Sequence, residues 1–202
     1  MYQNQANKSL TGEVRLSYVH LIEPYASSDQ PNAERKYQVT LLIPKTDVTT
    51  KNDIDASIKA AVQTAVDKTW KGVRPPVINL PIYDGDGVRQ SGTPFGPECK
   101  GMWVMTASRR EQDGRPLLAE ISNLRVDALP NDFYSGMYAR CTVHFYGYNK
   151  AGRKGIGCAL DGIVKMRDGE SLGGAVKPTF ESEFSALAEQ TPQINPITGR
   201  PM

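Results

Sequence analysis

Counted by twos, the stretch YARCTVHFYGY (138–148) carries Tyr138, Arg140, Thr142, His144, Tyr146 and Tyr148 on one side. Ala139, Cys141, Val143, Phe145 and Gly147 fill the other. Successive side chains of a strand point to opposite faces, so one face is built for a core and the other offers rings and cations. Exposed rings can stack on nucleobases whatever the base sequence, for roughly 1–3 kcal/mol per base. Arg and Lys beside them can hold phosphates and release counterions. Same-face neighbours on a strand stand about 7 Å apart, whereas stacked nucleotides rise about 3.4 Å. A strand bound there must therefore be spread, as a single strand allows and a duplex does not. A plainer use exists for the same face. Tyrosine has an apolar body and a polar tip, which also suits a place half-buried under a loop or against a second subunit.

Cations cluster nearby. The turn NKAGRKG adds Lys150, Arg153 and Lys154 with no acid between Tyr148 and Lys154. Arg109 and Arg110 end the stretch MWVMTASRR, which also holds Trp103. Lys165 and Arg167 form a further pair, diluted by Asp168 and Glu170. Any one such pair is equally at home on an ordinary solvated surface.

Other chemistries find little material. Two histidines, His20 and His144, and three cysteines without zinc spacing give no metal site. Asp84-Gly85-Asp86-Gly87 has the flavour of a calcium loop but lacks the later carboxylates, and reads as a tight turn. Gly155-Ile156-Gly157 starts like a dinucleotide fingerprint and fails at Leu160. No phosphate-cradling GxxxxGK and no GxSxG elbow occur. Nothing recommends an enzyme, and no cofactor is expected.

The elements that would position these residues are mostly strands. GEVRLSYV (12–19) puts Val14, Leu16 and Tyr18 on one face, and KYQVTLLIP (36–44) alternates through Tyr37, Val39, Leu41 and Ile43. MWVMTAS, LLAEISNLRVDAL and KGIGCALDGIVKM read as further strands, the last forming a hairpin with 138–148. One helix is expected from about Asp53 to Trp70, with Asn52 and Asp55 as a capping pair and Gly72 at its end. Residues 1–9 read as a flexible arm. Residues 72–100 form a long Gly/Pro-rich loop, of a length that is usually functional or disordered. One helix among five or six strands predicts a mainly β domain, a small antiparallel barrel or sandwich.

The chain has 202 residues and a formal charge of only +2, so any anion-binding site must be a local patch. Three scattered cysteines suggest reduced thiols and an intracellular protein. No apolar run suits a membrane span, and the polar start MYQNQANKSLTGE lacks a signal segment.

The run FYSGMYARCTVHFYGYNKAGRKGIGCALDGIVKMRDGESLGG resembles the C-terminal half of a bacteriophage single-stranded DNA-binding protein family. KYQVTLLIPKTD, DIDASIKAAVQTAVDKTW and PIYDGDG resemble it too, in the same order. The resemblance implies an OB-fold: a five-stranded antiparallel barrel over residues 10–175, capped by the helix. It also implies binding of single strands with little sequence preference, in phage replication or recombination, in the cytoplasm of the infected bacterium. Tyr138, Arg140, Tyr146 and Tyr148 match its pattern. His144, Lys150, Arg153, Lys154, Trp103, Arg109 and Arg110 complete the expected DNA contacts. Residues 176–202 would be a C-terminal helix and mobile tail. Their amphipathic stretch 179–190 would dock on a replication or recombination partner, on a neighbouring copy along DNA, or simply on the domain itself. The rival reading is a virion structural or assembly protein that uses the tyrosine face for subunit contacts; a third is an enzyme on an OB-like scaffold.

Overall fold

The computed structural model describes residues 5–26, 34–125, 127–129, 132–150 and 152–173. Among these the elements run β1 (Lys8–Leu10), β2 (Val14–Tyr25), β3 (Lys36–Pro44), α1 (Val48–Lys68), β4 (Ile82–Asp84), β5 (Met102–Arg110), β6 (Leu117–Glu120), β7 (Tyr138–Lys150) and β8 (Arg153–Arg167). The expected C-terminal helix and tail lie outside the described residues.

Strands β2, β3, β5, β8 and β7 close a ring, since β7 pairs with both β8 and β2. This is the mainly β, OB-fold-like architecture expected, with one correction. Ring neighbours are antiparallel except β5 and β8, which run parallel through Ser108 and Ala159. The reason is parity: strands cannot alternate direction all the way round a ring of odd number. β6 adds to β8, also in parallel, and β4 lies on β5.

The predicted alternations fill the ring. Val39, Leu41 and Ile43 of β3, Met105 and Ala107 of β5, and Ala139, Cys141, Val143 and Phe145 of β7 are all buried. β8 keeps Ile156, Cys158 and Leu160 inward and then changes phase. Val143 faces Leu160 but Thr142 faces Gly162, so Asp161 is an extra residue bulged out of the pairing. A second bulge sits in β2. Tyr18 adopts φ 47°, and the β2–β3 register shifts between Ser17 and His20. Val14 and Leu16 are buried as expected, but Tyr18 is turned outward and is 56% exposed.

Helix α1 begins earlier than the sequence suggested. Its cap is Asp47, whose carboxylate accepts from Thr50 N at 3.0 Å, rather than Asn52 with Asp55. The β-branched Val48-Thr49-Thr50 start obscured it, because such residues are indifferent helix formers. Ile54, Ile58, Ala61, Val62 and Ala65 face the ring. Gly147 explains how close they come, since a Cβ there would collide with Ala65. Trp70, just past the helix, is buried and donates its indole N–H to Tyr148 O at 3.0 Å. Lys71 and Gly72 take positive φ and end the helix there.

Two expected irregular segments are ordered. Part of the arm is strand: Lys8–Leu10 pairs with β7, and Asn7 exchanges hydrogen bonds with Phe145. The 72–100 loop is strapped down through β4, through an Asn79–Gly155 bridge, and through Lys45, which pairs with Asp84 (2.5 Å) and Asp86 (2.7 Å). Asp84–Gly87 is the tight turn expected, with Asp86 N and Gly87 N both donating to Asp84.

Candidate nucleic-acid interface

The β7–β8 hairpin turns between Lys150 and Arg153, so the partners of its outward residues follow directly. His144 faces Ala159, Tyr146 faces Gly157, and Tyr148 faces Gly155. Each large ring therefore meets a residue with little or no side chain. The Tyr146 ring lies over Gly157 so closely that a Cβ there would come within 2.6 Å of Cζ. Tyr148 covers Gly155 in the same way. The tips of both rings rest on backbone, and Tyr146 is exposed while Tyr148 is half-buried. The Gly155-Ile156-Gly157 pair, unpromising as a dinucleotide motif, is the bed for the two tyrosines.

These rings form one wall of an open groove of about 890 Å³. His144, Tyr146, Tyr148 and Lys150 line that wall, Gly157 and Ala159 the floor, and Lys36, Ser108, Arg109 and Arg110 the far side. Tyr146 is 45% exposed. His144 and Tyr146 have centroids 6.3 Å apart at 49°, far wider than the roughly 3.4 Å rise of stacked nucleotides. Burial pushes the Tyr146 phenol above its usual pKa, so it stays neutral where phosphates would approach.

Four cations meet two acids in the groove, and the acids are not idle. Arg110 makes a two-pronged bond to Asp113 (2.7 and 3.0 Å) and stands 4.0 Å from Glu34. Glu34 also reaches Lys36 at 3.8 Å. Arg109 donates instead to the Asp113 and Gly114 carbonyls, which orient its guanidinium without neutralising it. His144 donates from Nδ1 to Asp161 at 2.8 Å, and Lys8 reaches the other Asp161 oxygen at 2.9 Å. Burial opposes ionisation of Asp161, but these two bonds outweigh it and hold its pKa below the ordinary value. The bulge that expels Asp161 from the pairing thus fixes the imidazole at one end of the groove.

The groove gathers His144, Tyr146, Tyr148, Lys150, Arg109 and Arg110 from the expected set, but not the other five. Pairing places Arg153 opposite Lys150 on the tyrosine side of the hairpin, beyond the groove lining. Lys154 pairs with Asn149, which puts it on the reverse side. Tyr138 begins β7, roughly 26 Å along the strand from Tyr146. Its ring is half-buried between Arg167, at 3.5 Å, and Arg15, at 5.9 Å. Arg140 is exposed and donates to Thr11 O at 3.0 Å. Trp103 lies at the opposite end of β5 from Arg109, on the core-facing side, with Lys45 and Lys51 over its ring at 5.1 and 4.6 Å. Lys36 and Ser108 were missed. Lys36 opens a strand read for its apolar alternation, and only the β3–β5 register, Lys36 to Arg110, shows that it shares the face of Arg110.

The chain as a whole is similar to several known phage proteins. The family model described as Enterobacter phage Enc34, ssDNA-binding protein, matches residues 7–193. Protein p50 of Acyrthosiphon pisum secondary endosymbiont phage 1 is 30% identical over 187 residues, covering 88% of this chain and 93% of that protein. Among solved structures, the single-stranded DNA-binding protein from bacteriophage Enc34 in complex with ssDNA superposes with a TM-score of 0.67 at 30% identity, over 83% of this chain and 90% of that one. The bacteriophage T7 single-stranded DNA binding protein gp2.5 shares the fold, with a TM-score of 0.55 at 13% identity over 93% and 98% of the two chains.

Proposed function

The chain belongs to the family of the Enterobacter phage Enc34 ssDNA-binding protein, and on that premise we propose that it binds single-stranded DNA with little sequence preference. Bases stack on Tyr146 and Tyr148 beside His144, while Lys36, Arg109 and Lys150 hold the phosphates and Arg110, paired with Asp113, lines the far side. The observation that carries this reading is the groove itself. Rings bedded on Gly155 and Gly157 face a row of cations across a gap open to solvent. A relative solved in complex with ssDNA supports it. Rings accept any base face, and the little sequence preference proposed rests on that stacking. The role is to coat and protect single strands during phage replication or recombination inside the infected bacterium. Among the described residues no helix is long and apolar enough to cross a membrane. The protein acts by binding rather than by catalysis.

The test is a titration of intrinsic tyrosine and tryptophan fluorescence with an oligopyrimidine at two salt concentrations. Tyr146→Ala should weaken binding by about 5- to 150-fold, the equivalent of one lost stack, with an unchanged salt slope. Lys150→Ala should flatten the slope by about 0.7, as for one lost phosphate contact. Unchanged affinity in both folded variants, or a stable oligomer indifferent to the oligonucleotide, would refute the reading and favour a virion subunit contact.

A further inference from the structure

We infer that the DNA track does not end at the first groove, but continues across β3 and β5 into a second subsite built by the bulged Tyr18 and the 82–100 loop. This rests on the ssDNA reading above. The second subsite is a cavity of about 310 Å³ on the same outer face. Tyr18, Tyr83, Arg89 and Phe95 rim it, and Gln38 and Thr106 belong to its floor.

Continuity comes from the register. On β3 the outward residues run Lys36, Gln38, Thr40, and on β5 they run Arg110, Ser108, Thr106, paired in that order. Lys36, Ser108 and Arg110 line the first groove, whereas Gln38, Thr40 and Thr106 line the second. The rung Gln38–Ser108 therefore borders both. From Arg110 to Thr106 is four residues, about 13 Å. That is the length of about four nucleotides at stacked spacing, and fewer when the strand is spread.

Tyr18 is the residue that ordinary packing does not explain. Two positions after Leu16, an unbroken strand would bury it. Instead the backbone takes a left-handed conformation, rare for a bulky side chain, and the ring is expelled to solvent. Bulges re-aim side chains in this way, and such outliers concentrate at functional sites. Across the cavity, Arg89 lies over the Phe95 ring at 5.2 Å, and Tyr83 meets Phe95 at 6.4 Å. Among the described residues Arg89 has no ion pair, so its charge stays available to a phosphate. The occupant these features fit is the next few nucleotides of the strand already held by Tyr146. Rings and a cation come together there, as rings and cations do in the first groove.

The test measures affinity for oligothymidylates from about 4 to about 16 nucleotides, the range of OB-fold site sizes. Tyr18→Asn removes the ring but tolerates the positive φ. Arg89→Gln is an exposed change that removes the charge, and with it the guanidinium lying over the Phe95 ring. For long oligomers, Tyr18→Asn should weaken binding by about 5- to 150-fold, and Arg89→Gln should flatten the salt slope by about 0.7. Neither should alter the shortest oligomers. Wild-type behaviour of both variants at every length, while Tyr146→Ala is weak throughout, would overturn the second subsite and spare the first. A loss equal at all lengths would overturn it as well. If Tyr146→Ala also binds like wild type, the ssDNA reading itself has failed.

Discussion

Asp113 occupies a position where a DNA-binding groove would gain from having no acid, and Asp113→Asn measures what it does. The carboxylate takes both prongs of the Arg110 guanidinium, at 2.7 and 3.0 Å. Those bonds hold the Asp113 pKa below the usual carboxylate range, so near neutral pH the pair is fully formed and Arg110 is masked. Asparagine keeps the shape and one acceptor but removes the charge. Among the described residues Arg109 bonds to the main-chain carbonyls of Asp113 and Gly114 and not to the carboxylate, so the loop should keep its form. If Arg110 then takes a phosphate, the plot of log affinity against log salt steepens by about 0.7. Between about 50 and about 200 mM salt, that difference changes the variant-to-wild-type affinity ratio by about 2.6-fold, with the variant ahead at low salt. Fluorescence titrations at four or five salt concentrations resolve a change of this size. Acid should mimic the substitution. As pH falls through the lowered Asp113 pKa the carboxyl is neutralised and Arg110 released, so the wild-type slope should approach that of the variant only well below neutral. A folded Asp113→Asn protein with an unchanged or shallower slope would show that Arg110 does not face the phosphates, and the far wall of the groove would have to be redrawn.

Three further outcomes are expected. Gly147→Ala should lower stability by about 1–3 kcal/mol in urea denaturation, because the new Cβ must displace α1 at Ala65; an unchanged midpoint would show that the helix can yield there. Asp47→Ala should cost about 0.5–2 kcal/mol by removing the helix cap, with DNA affinity unaffected because α1 lies away from the groove. Asp161 has a folded pKa below its unfolded value, so its contribution is present above the unfolded pKa and lost as pH falls through the folded one. Asp161→Asn should therefore lower stability near neutral pH and flatten its decline in acid, and parallel wild-type and variant profiles would refute that role.

The sequence revealed faces better than neighbours. Alternation alone assigned the buried sides of β3 and β7, because a strand whose one side packs cannot slip register without exposing its core. It failed at Tyr18, and it gave no warning of Asp161; at both, one extra residue changes the phase and nothing in residue type announces a bulge. Helix α1 was legible from Ile54 onward but not at its start, since Val48-Thr49-Thr50 reads as well for strand as for helix. The cations divided in the same way. Lys150 could be placed from the hairpin, but Lys36 joins Arg110 only through a β3–β5 register set by the whole ring. Tyr138 and Tyr146 share a strand face yet not a site, because face is a local property and the strand outruns the groove.

The glycines show how much further a sequence can be taken. Once the Lys150–Arg153 turn is recognised, with Gly152 at φ 77°, the hairpin register is fixed and every cross-strand partner can be counted off. Counting puts glycine opposite Tyr146 and Tyr148, and alanine opposite His144. Glycine weakens a strand, so two of them beneath two tyrosines are costly unless the rings need to rest on backbone. The same two tyrosines opposite valine or threonine would pack as ordinary cross-strand pairs. Gly157→Val tests that distinction. It should favour the strand while lifting the Tyr146 ring off its bed, so a protein that gains stability and loses affinity for oligonucleotides would show that the floor serves the groove, and one that keeps its affinity would show that Tyr146 needs no floor.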